Sequence, residues 1–133
     1  MAAETVAAET SAVWPAWLQE LYRKADALDA DGFADAFATD ASFTFGNGPA
    51  VVGREEIRQS LKGFFASIGS MSHRVVRVWT NPDEVIFEAV VTYGRPDGTT
   101  VDVPAVTAYT RVGEQVASCR IYCDMSPLAP DAD

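Results

Sequence analysis

The sequence predicts an α+β fold in which helices come first and a strongly curved antiparallel sheet wraps around them. Two observations carry this. Apolar residues recur every three or four positions as far as about residue 68, then every second position from about residue 72. Short turn motifs punctuate the second half, at Asn81-Pro82-Asp83, Arg95-Pro96-Asp97-Gly98 and Val112-Gly113-Glu114. Turns this short join neighbouring strands as antiparallel hairpins.

Residues 1–12 are mostly Ala, Glu and Thr and read as a flexible lead-in. A single domain over 13–128 follows, and 129–133 read as a loose tail. In the first helix Trp14, Trp17, Leu18, Leu21, Tyr22, Ala25 and Leu28 form one apolar stripe. Pro15 suits its first turn, where a missing N–H costs nothing. Asp29, Asp31 and Gly32 break the pattern. A short second helix is expected next, capped by Asp29 or Asp31 and burying Phe33, Ala36 and Phe37. Ser42 to Phe45 reads as a strand with Phe43 and Phe45 on one face, and Gly46-Asn47-Gly48-Pro49 as a loop.

A third helix is expected from near Gly53. Glu55 and Glu56 sit in its first turn, where the helix dipole favours anions. Its apolar face is Ile57, Leu61, Phe64, Phe65 and Ile68, and Gly69 fits its C-terminal cap. Strands are expected over 72–80, 84–94, 99–111 and 115–124. Pro104 falls inside the third of these and predicts an edge or a bulge. The order is α-α-β-α-β-β-β-β, and a curved sheet closed by helices leaves a cone-shaped cavity.

Composition narrows the function classes. Ten Lys and Arg face 19 Asp and Glu, a net charge of −9. Phosphate backbones and anionic membranes repel such a surface, so neither nucleic acid nor membrane is an expected partner. No apolar stretch approaches 18 residues. The N-terminus lacks the basic and apolar regions of a secretory signal. Cys119 and Cys123 lie four residues apart. On one strand their Cα atoms stand on the order of 13 Å apart, too far for a disulfide. Two free thiols without a signal point to the cytoplasm. One His and two Cys supply no convergent metal-ligand set. Neither GxGxxG, GxxxxGK[ST] nor GxSxG occurs, so no cofactor is expected.

Three local motifs, in this order, carry a family resemblance. They are Asp31-Gly32-Phe33-Ala34-Asp35-Ala36-Phe37 leading to Asp40-Ala41-Ser42-Phe43, Gly53-Arg54-Glu55-Glu56-Ile57, and Arg120-Ile121-Tyr122-Cys123-Asp124. The chain resembles the nuclear transport factor 2-like superfamily, and within it the SnoaL-like and limonene epoxide hydrolase-like branch. The resemblance implies a cone-shaped α+β barrel, usually a homodimer through the outer sheet face, that holds small apolar molecules. Its members include polyketide cyclases, epoxide hydrolases, steroid isomerases, dehydratases and plain binding or assembly modules. Fold does not choose among these.

The family's chemistry transfers only in part. The first-strand Tyr and Asn of the epoxide hydrolases fall on Phe43 and Phe45, and their middle-strand Arg and Asp near Ala89 and Val91. The base of the steroid isomerases falls on Phe45, and their second acid near Thr107. Only the last-strand carboxylate, Asp124, has a counterpart. SnoaL-like cyclases pair such an acid with a His on a neighbouring strand, and the one His of this chain is His73.

The resemblance places Asp124 inside the cone, and alternation would then place Tyr122 and Arg120 there too. Cys119, Ile121 and Cys123 would face a dimer partner. By the same parity Phe87, Ala89, Val91 and Tyr93 line the cone from one strand, and Thr107 and Tyr109 from the next. Trp17, Phe37, Phe43 and Phe45 complete the expected substrate-binding wall. Asp124 is either a general base beside apolar walls or an ion-pair partner of Arg120. His73 is either its acid partner or a half-exposed residue at a strand start. Tyr22 either donates a hydrogen bond into the cone or only packs. Trp14 and Trp17 are core or a lid over the pocket mouth. The expected function is cofactor-independent acid–base chemistry on a small apolar metabolite of polyketide, terpenoid or steroid type. The alternative is a non-catalytic small-molecule-binding or assembly module.

Overall fold

The computed structural model describes residues 14–128; the expected lead-in and tail at 1–12 and 129–133 lie outside them. Helix α1 runs Ala16–Asp26, with Pro15 as its N-cap and Leu18, Leu21, Tyr22 and Ala25 on its buried face. Arg23 and Lys24 complement the dipole in its last turn. Leu28 closes the helix in the left-handed region (φ 58°), with Asp29 N–H donating to the Lys24 carbonyl at 2.9 Å. That position usually belongs to Gly, so Leu28 carries local strain. Helix α2, Ala30–Ala34, is capped by Asp29, whose Oδ1 accepts from Gly32 N–H at 2.9 Å. Helix α3, Arg54–Ala66, follows Gly53, whose φ of 102° excludes most side chains.

Six strands form one curled sheet in the order β2-β1-β6-β5-β4-β3. They are β1 (Phe37–Phe45), β2 (Val51–Val52), β3 (Ser70–Asn81), β4 (Glu84–Gly94), β5 (Thr100–Val112) and β6 (Gln115–Cys123). The predicted hairpins join β3 through β6. The sheet is antiparallel except that β1 runs parallel to β6, and α3 is capped by Ser67 rather than by the expected Gly69. Two further details differ from the expected elements. The two-residue β2 pairs with β1 through Ser42↔Val52 and Phe43↔Val51. Strand β1 begins at Phe37, not Ser42: Phe37 pairs with Val116 of β6 before the register breaks. Phe37 is therefore a fully buried strand residue rather than part of the second helix. Pro104 sits in central β5, yet pairing with β6 starts only at Ala105↔Cys123. One flank of Pro104 is thus a local edge, which fits its missing donor.

The three helices pack on the concave face of the sheet, where the core lies. Strand-paired residues share a face, so the registers Phe87↔Thr107↔Ile121 and Val85↔Tyr109↔Cys119 define what points inward. This overturns the expected parity of the last strand. Cys119 is fully buried, whereas Arg120 is exposed and Tyr122 is 55 % exposed on the convex face.

Candidate functional site

Between the concave sheet and helices α1 and α3 lies a narrow chamber of about 50 Å³. Its walls are apolar and largely aromatic. Phe43 and Phe45 come from β1, Leu61, Phe64 and Phe65 from α3, and Phe87, Ala89 and Val91 from β4. Into this lining project four side chains with polar atoms: Tyr22, His73, Tyr93 and Thr107. Concave, mostly apolar walls with few polar groups are how small-molecule sites are built.

His73 is held by a residue the sequence reading did not single out. Asp26, at the last position of α1, places Oδ1 at 2.6 Å from His73 Nδ1. Its Oδ2 accepts from the His73 backbone N–H at 3.1 Å. Both carboxylate oxygens are thereby spent on one residue, which fixes the imidazole through Nδ1 and leaves Nε2 with no hydrogen-bond partner among the described residues. The His73 side chain is 9 % exposed and that of Asp26 32 %. The pair thus spans from the chamber wall to solvent. The Tyr22 ring meets the imidazole edge-on, with centroids 4.6 Å apart.

A second polar group lies behind the wall. The hydroxyls of Tyr22 and Tyr109 stand 2.5 Å apart. Burial pushes both well above the ordinary tyrosine range, so both stay neutral. Burial also pushes the adjacent Cys119 thiol up to about 12. The Tyr22 hydroxyl is therefore engaged with Tyr109 while the ring lines the chamber. Burial likewise raises Tyr93.

Asp124 lies outside the chamber. It follows the end of β6, is exposed, and its Oδ1 accepts from Ser126 N–H at 3.0 Å. That bond holds its carboxyl below the ordinary carboxylate range. It caps the single 3₁₀ turn Ser126–Leu128. Arg120 donates to the Tyr122 hydroxyl at 3.0 Å rather than pairing with Asp124. Asp124, Arg120 and Tyr122 are thus corrected from cone-lining to outer-surface residues, and the Arg120–Asp124 ion pair, the alternative to a catalytic Asp124, does not form either. The physical reason is that β6 ends at Cys123, so nothing in the ladder fixes where Asp124 points. Pairing with Thr107 instead turns Ile121 inward.

The other expected wall residues divide. Phe43, Phe45, Phe87, Val91, Tyr93 and Thr107 line the chamber, and Thr107 is only 3 % exposed. Phe37 packs beneath it on Phe33 and Phe43. Tyr109 stands behind Tyr22. Trp17 is off the wall, edge-on to Tyr109 at 5.9 Å, with the Arg111 guanidinium 4.2 Å above its ring. Trp14 packs on Tyr22 and Phe87. Among the described residues no group of three or more His, Cys, Asp or Glu converges as a metal site.

A SnoaL-like domain model matches residues 18–119. The chain belongs to the SnoaL-like domain family. Its solved structural relatives agree. A protein of ketosteroid isomerase-like fold from Catenulispora acidiphila, crystallised with trimethylamine, superposes with a TM-score of 0.78 at 22 % identity. The match covers 86 % of this chain and 89 % of that one. A protein classed as a SnoaL-like polyketide cyclase from Jannaschia gives 0.72 at 23 %, over 84 % and 85 %. One classed as a polyketide cyclase from Xanthomonas campestris gives 0.74 at 21 %, over 84 % and 90 %. At these identities the likeness is one of fold. No curated protein matches the chain. Within the SnoaL-like family this member carries an imidazole–carboxylate pair on the wall of an aromatic chamber.

Proposed function

We propose that this SnoaL-like protein moves protons on a small apolar metabolite, of polyketide, terpenoid or steroid type, without a cofactor. His73 is the acid–base group and Asp26 its positioning partner. The single observation that supports this reading is the two-oxygen grip of Asp26 on His73 at the chamber wall. A carboxylate accepting at Nδ1 orients the ring and fixes its tautomer, so Nε2 is the atom that exchanges a proton with a ligand. His is the side chain suited to proton transfer near neutral pH. Thr107 and Tyr93 supply hydroxyls to hold a substrate oxygen on which charge develops. Such chemistry covers cyclisation, isomerisation, dehydration and epoxide opening.

A non-catalytic binding module is the second reading. It draws on Phe43, Phe45, Ala89 and Val91, which form plain apolar wall where the resemblance would place catalytic polar groups. Deuterium exchange at the α-carbon of phenylacetone in D₂O separates the two. Exchange should exceed buffer with the wild type. It should fall by roughly 10²–10⁴-fold in His73→Asn and less steeply in Asp26→Asn. It should be unchanged in Asp124→Asn. Wild-type exchange no faster than buffer, with the chamber still binding a ligand, selects the binding module.

The assembly is proposed as a homodimer through the convex sheet face, where Ile86, Val106 and Tyr122 are exposed and Val106 pairs with Tyr122. No described helix is long and apolar enough to cross a membrane. The unbridged Cys119 and Cys123 support a cytoplasmic setting.

A further inference from the structure

The chamber does not end where its walls meet helix α3. Phe45, the last residue of β1, and Phe64, in the last turn of α3, stand ring to ring at 5.4 Å and 78°. Both are half-buried, and both belong to three separate hollows. On their inner side is the chamber of about 50 Å³. On one outer side is a wide groove of about 830 Å³, open to solvent, that also contains Ile68, Met125 and Leu128. On the other is a groove of about 310 Å³ bounded by Pro49, Val51 and Ser60. No other residue is common to all three.

The wide groove is a built feature. Arg95, in the β4–β5 turn, donates to the Pro127 carbonyl at 2.7 Å, the Leu128 carbonyl at 3.3 Å and Thr99 Oγ1 at 3.1 Å. These bonds strap the 3₁₀ turn across the groove and hold Met125 and Leu128 as its wall. Its lining is mostly apolar, and Asp97 is turned back onto Thr99 N–H and Oγ1 at 2.9 and 2.7 Å. A groove so lined, parted from an apolar chamber only by the two shared rings, fits an apolar extension of whatever the chamber holds. Partly exposed side chains change rotamer on fast timescales, and Phe64, which packs on Phe45 and on Tyr93 at 5.9 Å, has no hydrogen bond that turning would break.

We propose that the Phe45–Phe64 pair is a gate, and that the ligand is a two-part molecule. With the gate shut the chamber, about 50 Å³, is too small for a ring; with Phe64 turned out the ring enters beside His73, and an alkyl or second apolar segment lies in the Met125–Leu128 groove. Phe64 sets the length that is accepted. The proposal rests on the chamber being the binding site, as under the proposed function, and its test separates the two.

The probes are 4-alkylphenols from ethyl to octyl, titrated by calorimetry into the wild type, Phe64→Ala, Phe64→Trp and His73→Ala. In the wild type affinity should climb by about fourfold per added methylene through the whole series, as burial of each CH₂ in the groove predicts. Phe64→Trp should stop the climb at the shortest chains while leaving 4-ethylphenol bound. Phe64→Ala should preserve the climb. His73→Ala should weaken every probe by a similar factor. If 4-ethylphenol binds but affinity is flat with length in the wild type, the gate proposal is wrong and the chamber reading stands. An unchanged climb in a folded Phe64→Trp likewise overturns the gate. If 4-ethylphenol does not bind at all, both fail.

Discussion

Asp26 shows how a single carboxylate acquires a role through position. It closes α1 four residues after Tyr22, so the two share a helix face, and that face looks onto His73 of β3. The i, i+4 relation was readable in the sequence; the partner across 47 residues was not. The buried hydroxyls and thiol behind the chamber make a prediction of their own. Cys119 ionises near 9 when unfolded and only near 12 when folded, and Tyr22 and Tyr109 are shifted in the same direction. A raised pKa in an acid that is neutral when protonated stabilises the fold below the unfolded value and is lost as pH climbs toward the folded one. Stability should therefore hold to about pH 9. Above it, Cys119 alone should contribute a decline of about 1.4 kcal/mol per pH unit. Urea unfolding at pH 8, 9 and 10 checks this. Cys119→Ala should be less steep between 9 and 10 than the wild type.

At the scale of elements, periodicity carried the helices and hairpins because each rests on local signals: the stripe of α1, the Asp29 cap, the Gly98 and Gly113 turns. Which way β6 faces was not legible from its own alternation. An alternating strand has two equal readings until a neighbour fixes it, and the register shift between Thr110 and Arg111 makes counting through the turn unsafe. Anchoring the count on Asp124 inverted the strand, since that residue lies beyond the ladder. The early start of β1 was hidden for a related reason: Phe37 suits a helix or a strand until Val116 pairs with it. The observed parity predicts an asymmetry. Ile121→Ser should weaken 4-ethylphenol binding, because Ile121 lines the chamber. Tyr122→Ser, one residue on, should leave it within twofold, as calorimetry on the two variants will show.

At the scale of the whole molecule, the curled sheet separates two faces with different tasks. The concave face holds the chamber, while the convex face carries Ile86, Val106 and Tyr122 in the open. Arg77 and Glu88 pair beside them, 3.7 Å apart. If that face joins two copies, Ile86→Glu with Val106→Glu should halve the mass seen by sedimentation and leave the circular dichroism spectrum intact. A wild type that already sediments as a monomer contradicts the dimer. Family membership and fold follow from the whole chain, while the proposed chemistry rests on a few side chains in the chamber. The polar positions that the resemblance would supply are here Phe, Ala and Val, and a different pair occupies the wall.

The most direct test of that pair uses the fact that the chain has one histidine. Its ring Hε1 proton gives one NMR signal with no assignment problem. Adding 4-ethylphenol should move that signal saturably in the wild type and equally in Asp124→Asn, with a different bound shift in Asp26→Ala. A signal that stays fixed while calorimetry shows the phenol binding would place the ligand away from His73 and contradict the account.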